Sequence, residues 1–175
     1  MSGTARRHKE SAPPKLCFNI YVCSTSRYHK LQKKTRVDDV SGDLIVKMLK
    51  DAGHTVGLKK ILPDDETKIG EAVMETIRSE VDAAIFCGGT GITPRDITVE
   101  SITPFLEKVL PGFGEIFRRL SFERIGSPAV LSRVIAGVAR GKAFFCIPGS
   151  PDAVRLGVER LILPEASHIV KHARE

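Results

Sequence analysis

Residues 81–96 read Val-Asp-Ala-Ala-Ile-Phe-Cys-Gly-Gly-Thr-Gly-Ile-Thr-Pro-Arg-Asp. The apolar run from Val81 to Cys87 has the length of a buried strand, and it opens directly into Gly88-Gly89-Thr90-Gly91. Such a turn offers backbone N–H groups and the Thr90 hydroxyl where little side-chain bulk obstructs a ligand. Successive amides can converge there on an anion, phosphate above all. Thr93, Arg95 and Asp96 add a hydroxyl, a fixed cation and a carboxylate suited to phosphate or metal. The turn matches neither the Walker A pattern nor the dinucleotide G-x-G-x-x-G, so the glycines alone leave the ligand unnamed.

Working outward, apolar runs alternate with helical patterns. Residues 15–23 form a first predicted strand, followed by a polar, basic loop over Ser24–Asp39 that is too long for a simple turn. Ser41 reads as the N-cap of a helix to about Ala52, with Leu44, Ile45, Met48 and Leu49 on one face. A strand over Thr55–Leu62 stops at Pro63, and Asp64 or Asp65 caps a helix to about Glu80. Beyond the glycine turn, a short helix over Thr98–Val109 is kinked at Pro104, and another runs from Phe113 to Arg124. Apolar segments over Val130–Ala139 and Lys142–Ile147 flank Arg140-Gly141 as a tight reversal, and a last helix spans Pro151–Leu161. The pattern predicts an α/β fold with a mostly parallel sheet, covered on both faces, and one antiparallel edge. Residues 1–14 are expected to be a disordered arm and residues 15–175 a single domain.

In open sheets of this kind, ligands bind beyond the carboxyl ends of the strands. Four segments leave such ends: the loop after Cys23, Pro63-Asp64, Gly88–Asp96, and Pro148-Gly149-Ser150-Pro151. They are expected to share one rim. Asp64 and Asp96 are candidate ligands for Mg²⁺, which takes oxygen donors and keeps several waters. Each also has a structural reading, Asp64 as a helix cap and Asp96 as a cap or the partner of Arg95. Pro148-Gly149-Ser150 presents a helix N-terminus to an anion, or is a plain turn. Ser132-Arg133 interrupts an apolar run, which points Arg133 to a phosphate or to a subunit interface. His168 and His172 have i, i+4 spacing but read as surface residues without an acid neighbour.

The chain carries 27 Lys and Arg against 21 Asp and Glu, a net charge of +6, and much of the excess lies in the first 36 residues. Neither an aromatic ladder nor zinc spacing accompanies it, so a basic rim around a small polyanion is preferred to nucleic acid. Cys17, Cys23, Cys87 and Cys146 form no CxxC pair and lie in or beside apolar runs, as buried thiols in a reducing compartment do. With no signal-peptide pattern and no run of about 20 apolar residues, a cytoplasmic location away from membranes is expected.

Taken in order, Gly88–Asp96, Leu110-Pro111-Gly112-Phe113-Gly114-Glu115, Leu131-Ser132-Arg133 and Pro148–Pro151 resemble the molybdenum cofactor biosynthesis family. The stretch Phe117–Gly126 with Ala136-Gly137-Val138-Ala139 is similar to the MoaB branch of the MoaB/MogA group, which shares its domain with gephyrin. The resemblance covers about Lys15 to Leu163. It implies a three-layer α/β/α molybdopterin-binding domain that adenylates molybdopterin with Mg²⁺ and ATP, releasing pyrophosphate. A non-catalytic carrier of molybdopterin is the alternative. The family's essential aspartates match Asp64 and Asp96, and its Asp-x-Ser-Gly matches Asp39–Gly42. Phosphate or pterin contacts are implied for Gly88, Gly89, Thr90, Gly91, Thr93, Arg95, Ser24, Ser132, Pro148, Gly149 and Ser150. Where many members have Ser-Asp-Arg after the first strand, this chain has Ser24-Thr25-Ser26-Arg27, leaving hydroxyls in place of a carboxylate. The family also implies a trimer or, in this branch, a hexamer.

Overall fold

The computed structural model of the chain describes residues 13–175; residues 1–12, most of the expected N-terminal arm, lie outside it. Six strands, β1 (Cys17–Cys23), β2 (Thr55–Leu62), β3 (Ala83–Cys87), β4 (Lys108–Val109), β5 (Ile135–Ala139) and β6 (Lys142–Ile147), form one sheet in the order β2-β1-β3-β6-β5-β4. The first four in that order are parallel, and β5 and β4 add an antiparallel edge. Parallel neighbours need long crossovers. These are supplied by α1 (Thr25–Gln32) with α2 (Val40–Asp51), by α3 (Glu66–Arg78), and by the segment carrying α4 (Thr98–Ile102) and α5 (Pro111–Ile125). The chain closes with α6 (Pro151–Gly157), a π turn over Val158–Ile162 and α7 (Leu163–Arg174).

Strand alternation sorts the core into two layers. Phe18, Ile20, Val22, Ala83, Ile85, Cys87, Phe145 and Ile147 face α2, α5, α6 and α7 through Ile45, Leu49, Phe117, Val154 and Val170. Tyr21, Ala84, Phe86, Phe144 and Cys146 face α3 and α4 through Ile69, Val73 and Ile102. The central strand β3 is buried along its whole length, which is why residues 83–87 carry no polar face. The expected three-layer arrangement is the one observed.

Several boundaries differ from the sequence reading. The basic loop after β1 contains α1, which buries no residue and so leaves no apolar stripe to detect. Helix α2 is capped by Asp39, whose carboxylate accepts from the Gly42 amide at 3.1 Å, and Ser41 lies inside it. Residues 127–131 form a 3₁₀ turn, so β5 begins at Ile135 rather than at Val130. The two-residue β4 has no pattern of its own; it pairs with Gly137 and Val138. The last helical segment runs on to Arg174 because the π turn accommodates Pro164 in the first turn of α7, where a missing N–H is tolerated.

Cys23, Cys87 and Cys146 are buried, as expected, and Cys17 is half-buried; all four are free thiols. Burial pushes the Cys23 and Cys87 thiols up to about 12, so neither is a ready nucleophile. Among the described residues, no helix is long and apolar enough to cross a membrane.

Candidate functional site

The four expected loops meet at the carboxyl ends of β1, β2, β3 and β6. Gly88 and Gly89 adopt φ of +105° and +65°, so the chain leaves β3 through a left-handed turn that bulkier residues disfavour. Space decides the matter as firmly as backbone angle does. A Cβ on Gly88 would lie 2.5 Å from the Cys23 carbonyl oxygen, and one on Gly89 would overlap the buried Thr98 hydroxyl. The Gly88 amide donates to the Ile147 carbonyl at 3.0 Å, and the Thr98 amide donates to the Gly89 carbonyl at 3.1 Å. The turn is thus packed tightly from behind.

Both candidate carboxylates lean on its bare positions. Asp64 Oδ2 accepts from the Thr25 amide at 3.0 Å and the Thr25 hydroxyl at 2.7 Å, while the Asp64 amide donates to that same hydroxyl at 2.9 Å. Its other oxygen, Oδ1, stands 3.4 Å from where a Gly89 Cβ would be. Asp65, not Asp64, caps α3, by accepting from the Lys68 amide at 2.9 Å. Asp96 Oδ2 accepts from the Thr93 amide at 2.8 Å and the Thr93 hydroxyl at 2.7 Å, and lies 2.8 Å from a would-be Gly91 Cβ. Burial raises the Asp96 pKa, but the Thr93 and Gly91 hydrogen bonds and the Arg133 charge together outweigh it and hold the carboxyl below its ordinary value.

Arg133 is spoken for inside the protein. Its guanidinium donates to the carbonyls of Gly91 and Asp96, each at 2.6 Å, and pairs with the Glu100 carboxylate. Its amide donates to the Thr90 carbonyl at 3.2 Å. The expected reach toward a phosphate or an interface is therefore replaced by a clamp on the glycine loop. Neither Arg133 nor Glu100 announced this from sequence, because the clamp joins residues 33 apart. Arg95 is exposed.

A cleft of about 300 Å³ runs beside the turn. It is lined by Gly89, Thr90, Gly91, Asp96 and Ser132 on one side and by Pro148, Gly149 and Ser150 on the other. Ser132 lines the cleft, and its hydroxyl oxygen is buried without a hydrogen-bond partner. Phe117, Ser121 and Leu131, which lie within the motifs Phe117–Gly126 and Leu131-Ser132-Arg133, also line the cleft. Ser150 Oγ accepts from the Ala153 amide at 3.3 Å as the cap of α6. The Ser41 hydroxyl donates to the Gly149 carbonyl at 2.7 Å, so the start of α2 anchors the opposite wall. Asp64 and Ser24 do not line the cleft. Ser24 caps α1, and its amide donates to the Leu62 carbonyl at 2.8 Å, which places it on the same rim one strand away.

Among the described residues, no group of three His, Cys, Asp or Glu side chains could hold a metal by itself. Two carboxylates beside one glycine turn, Asp64 and Asp96, are instead oxygen donors of the kind a hydrated Mg²⁺ takes. The residues present fit that ion.

Known proteins were then compared with the chain. The family described as "Probable molybdopterin binding domain" matches residues 19–168. The chain is 40% identical over 174 residues to "Molybdenum cofactor biosynthesis protein B" of Bacillus subtilis, covering 98% of each. It is 42% identical over 172 residues to "Molybdopterin adenylyltransferase" of Pyrococcus furiosus, covering 96% of this chain and 97% of the relative. Its fold is similar to the crystal structure of the tungsten cofactor synthesizing protein MoaB from Pyrococcus furiosus, with a TM-score of 0.83, 42% identity, and coverage of 94% and 100%.

Proposed function

Because the chain belongs to the molybdopterin-binding domain family, we propose that it serves molybdenum or tungsten cofactor biosynthesis by adenylating molybdopterin. The terminal phosphate oxygen of molybdopterin attacks the α-phosphorus of ATP. The bond to the β-phosphate oxygen breaks, giving adenylylated molybdopterin and pyrophosphate. The name of the Pyrococcus relative supports the reaction, and the near-complete coverage of both chains supports its transfer. One observation carries the reading: Asp64 and Asp96 each abut a bare glycine of the same turn, beside a cleft lined by Gly89, Thr90 and Ser150.

The residues divide the work as follows. The Gly89 and Thr90 amides and the Thr90 hydroxyl bind phosphate oxygens, with Gly88 and Gly91 holding the turn in shape, and Ser132 and Ser150 orient the pterin or its phosphate across the cleft. Thr25 and Thr93 fix their carboxylates by paired hydrogen bonds, so neither acid has to reorganise during the reaction. Asp64 and Asp96 would hold Mg²⁺, which would supply positive charge against the negative charge that develops on the phosphate oxygens.

The test is incubation of molybdopterin with Mg²⁺ and ATP, with detection of the adenylylated product. Asp96→Asn keeps the shape of the side chain and removes its charge; product formation is expected to fall by about 10²-fold or more. Undiminished turnover in that variant, or molybdopterin binding without ATP consumption in the wild type, would refute the enzymatic reading.

A further inference from the structure

The guanidinium groups near the glycine turn are used differently. Arg133 is engaged inside the protein, and Arg95 stands exposed. Arg27 is in neither position. It lies half-buried in the first turn of α1, where its amide donates to the Ser24 hydroxyl at 3.5 Å and its Nε donates to the Asp38 carbonyl at 3.2 Å. The second bond ties α1 to the approach of α2 and holds the guanidinium by one corner. Among the described residues, its two terminal nitrogens have no hydrogen-bond or ion-pair partner.

Nearby acids are occupied elsewhere. Asp39 accepts from the Gly42 amide and pairs with Lys59 at 2.9 Å, Asp38 lies against Arg36 at 3.9 Å, and Asp64 accepts from Thr25. The Arg27 charge still reaches the end of β3: burial pushes the Cys87 thiol up, and the guanidinium pulls against that rise. The cation therefore stands by the strand end from which the glycine turn departs, on the helix whose Thr25 holds Asp64. An exposed arginine without a partner is ordinary. A half-buried one has lost rotamer freedom and hydration, and here no carboxylate compensates for that loss. The open edge of the fork matches two oxygens of one phosphate.

The strand order indicates which phosphate. The cleft is lined by segments that follow β3 and β6, whereas Arg27 and Asp64 follow β1 and β2 on the other side of the turn. In an in-line displacement the attacking and leaving oxygens lie on opposite sides of the phosphorus. With the attacking phosphate held in the cleft, the leaving group points to the side of Arg27. Given the adenylation proposed above, we propose that Arg27 is a substrate-binding residue that grips the β- and γ-phosphates of ATP and holds pyrophosphate as it departs. The electron pair of the breaking bond passes to the oxygen between the α- and β-phosphorus atoms. No proton moves through Arg27, whose part is to offset the charge that gathers on the pyrophosphate beside two carboxylates.

Calorimetric titration of the whole chain with inorganic pyrophosphate, and separately with AMP, in buffer containing MgCl₂ tests the assignment. Pyrophosphate is expected to bind Arg27→Ala about 10–100-fold more weakly, while AMP, which has neither a β- nor a γ-phosphate, stays within about twofold of wild type. Arg27→Lys keeps the charge without the fork and should recover only part of the loss. Lys33→Ala removes an exposed cation at the end of α1 and should change pyrophosphate binding by less than about twofold, which separates the fork from the general basic field. In the adenylation assay, Arg27→Ala should raise the KM for ATP and leave the KM for molybdopterin unchanged, a split that loosening of the tie to Asp38 would not produce. Urea unfolding establishes that the variants are folded. Unchanged pyrophosphate affinity in Arg27→Ala, or no pyrophosphate binding by the wild type, overturns the proposal. Equal weakening of AMP and pyrophosphate, or a rise in the KM for molybdopterin in place of ATP, overturns it too. A wild-type chain that binds pyrophosphate through Arg27 yet forms no adenylylated product refutes the adenylation and leaves the phosphate grip standing.

Discussion

Gly89→Ala isolates the tight packing behind the glycine turn. Two costs follow from the geometry. Alanine at φ +65° carries about 1 kcal/mol of left-handed strain. The new methyl would also overlap Thr98 Oγ1, a fully buried atom whose own backbone amide is bonded to the Gly89 carbonyl, so neither group can move freely. Overpacking of that kind costs about 1–3 kcal/mol. The sum is about 2–4 kcal/mol, or roughly 4–16 °C in Tm for a chain of this length. Gly53→Ala is the internal control. It has φ of +85° with nothing within 4 Å of the new methyl, so only the backbone strain remains, about 1 kcal/mol. Thr98→Ala removes the overlapping oxygen, and combining it with Gly89→Ala should restore about 1–3 kcal/mol beyond additivity. Urea unfolding of the four variants and the wild type gives the cycle. Equal destabilisation by Gly89→Ala and Gly53→Ala, or an additive double variant, would refute the packing argument. Under the proposed function, Gly89→Ala also slows adenylation while Gly53→Ala does not.

Other outcomes follow from the same contacts. Arg133→Ala removes the clamp on Gly91, Asp96 and Glu100. Asp96 and Glu100 both titrate below their ordinary values in the folded chain, so they contribute stability above the unfolded carboxylate range that is lost as pH falls through their folded values. Without Arg133 that loss begins at higher pH, and the acid-unfolding midpoint should rise; an unchanged midpoint would show the clamp to be electrostatically idle. Ser41→Ala deletes the 2.7 Å bond to the Gly149 carbonyl and should cost about 1 kcal/mol in urea unfolding while raising the KM for molybdopterin. A variant with unaltered KM would mean that the far wall of the cleft holds its shape alone. Sedimentation should find an assembly larger than a monomer, because Ile116, Phe122, Ile125, Val130 and Leu131 stand exposed on and after α5; three or six copies is what the family resemblance implies. Arg replacing Phe122 should shift it toward the monomer, and a wild-type monomer would remove the basis for that expectation.

The strand-to-glycine junction at residues 81–91 was legible because a fully buried parallel strand must be apolar on both faces, and because such a turn tolerates only glycine. The apolar faces of α2 and α3 were legible from helical spacing for a related reason: each buries one stripe against the sheet. Helix α1 was not, since it buries nothing, and β4 was not, since two residues carry no period. Ser41 was read in the wrong role. The cap belongs to Asp39, and Ser41 reaches a carbonyl 108 residues away.

By itself, then, the sequence determined the layers, the sheet edge and the rim to which the acids belong, because burial and backbone sterics act on local patterns. Only the tertiary structure decided which atoms meet there. Thr25 holding Asp64, Arg133 closing on the loop of Asp96, and Ser41 reaching Gly149 all depend on contacts between distant segments. No periodicity records such pairings, since their partners are chosen by packing in three dimensions.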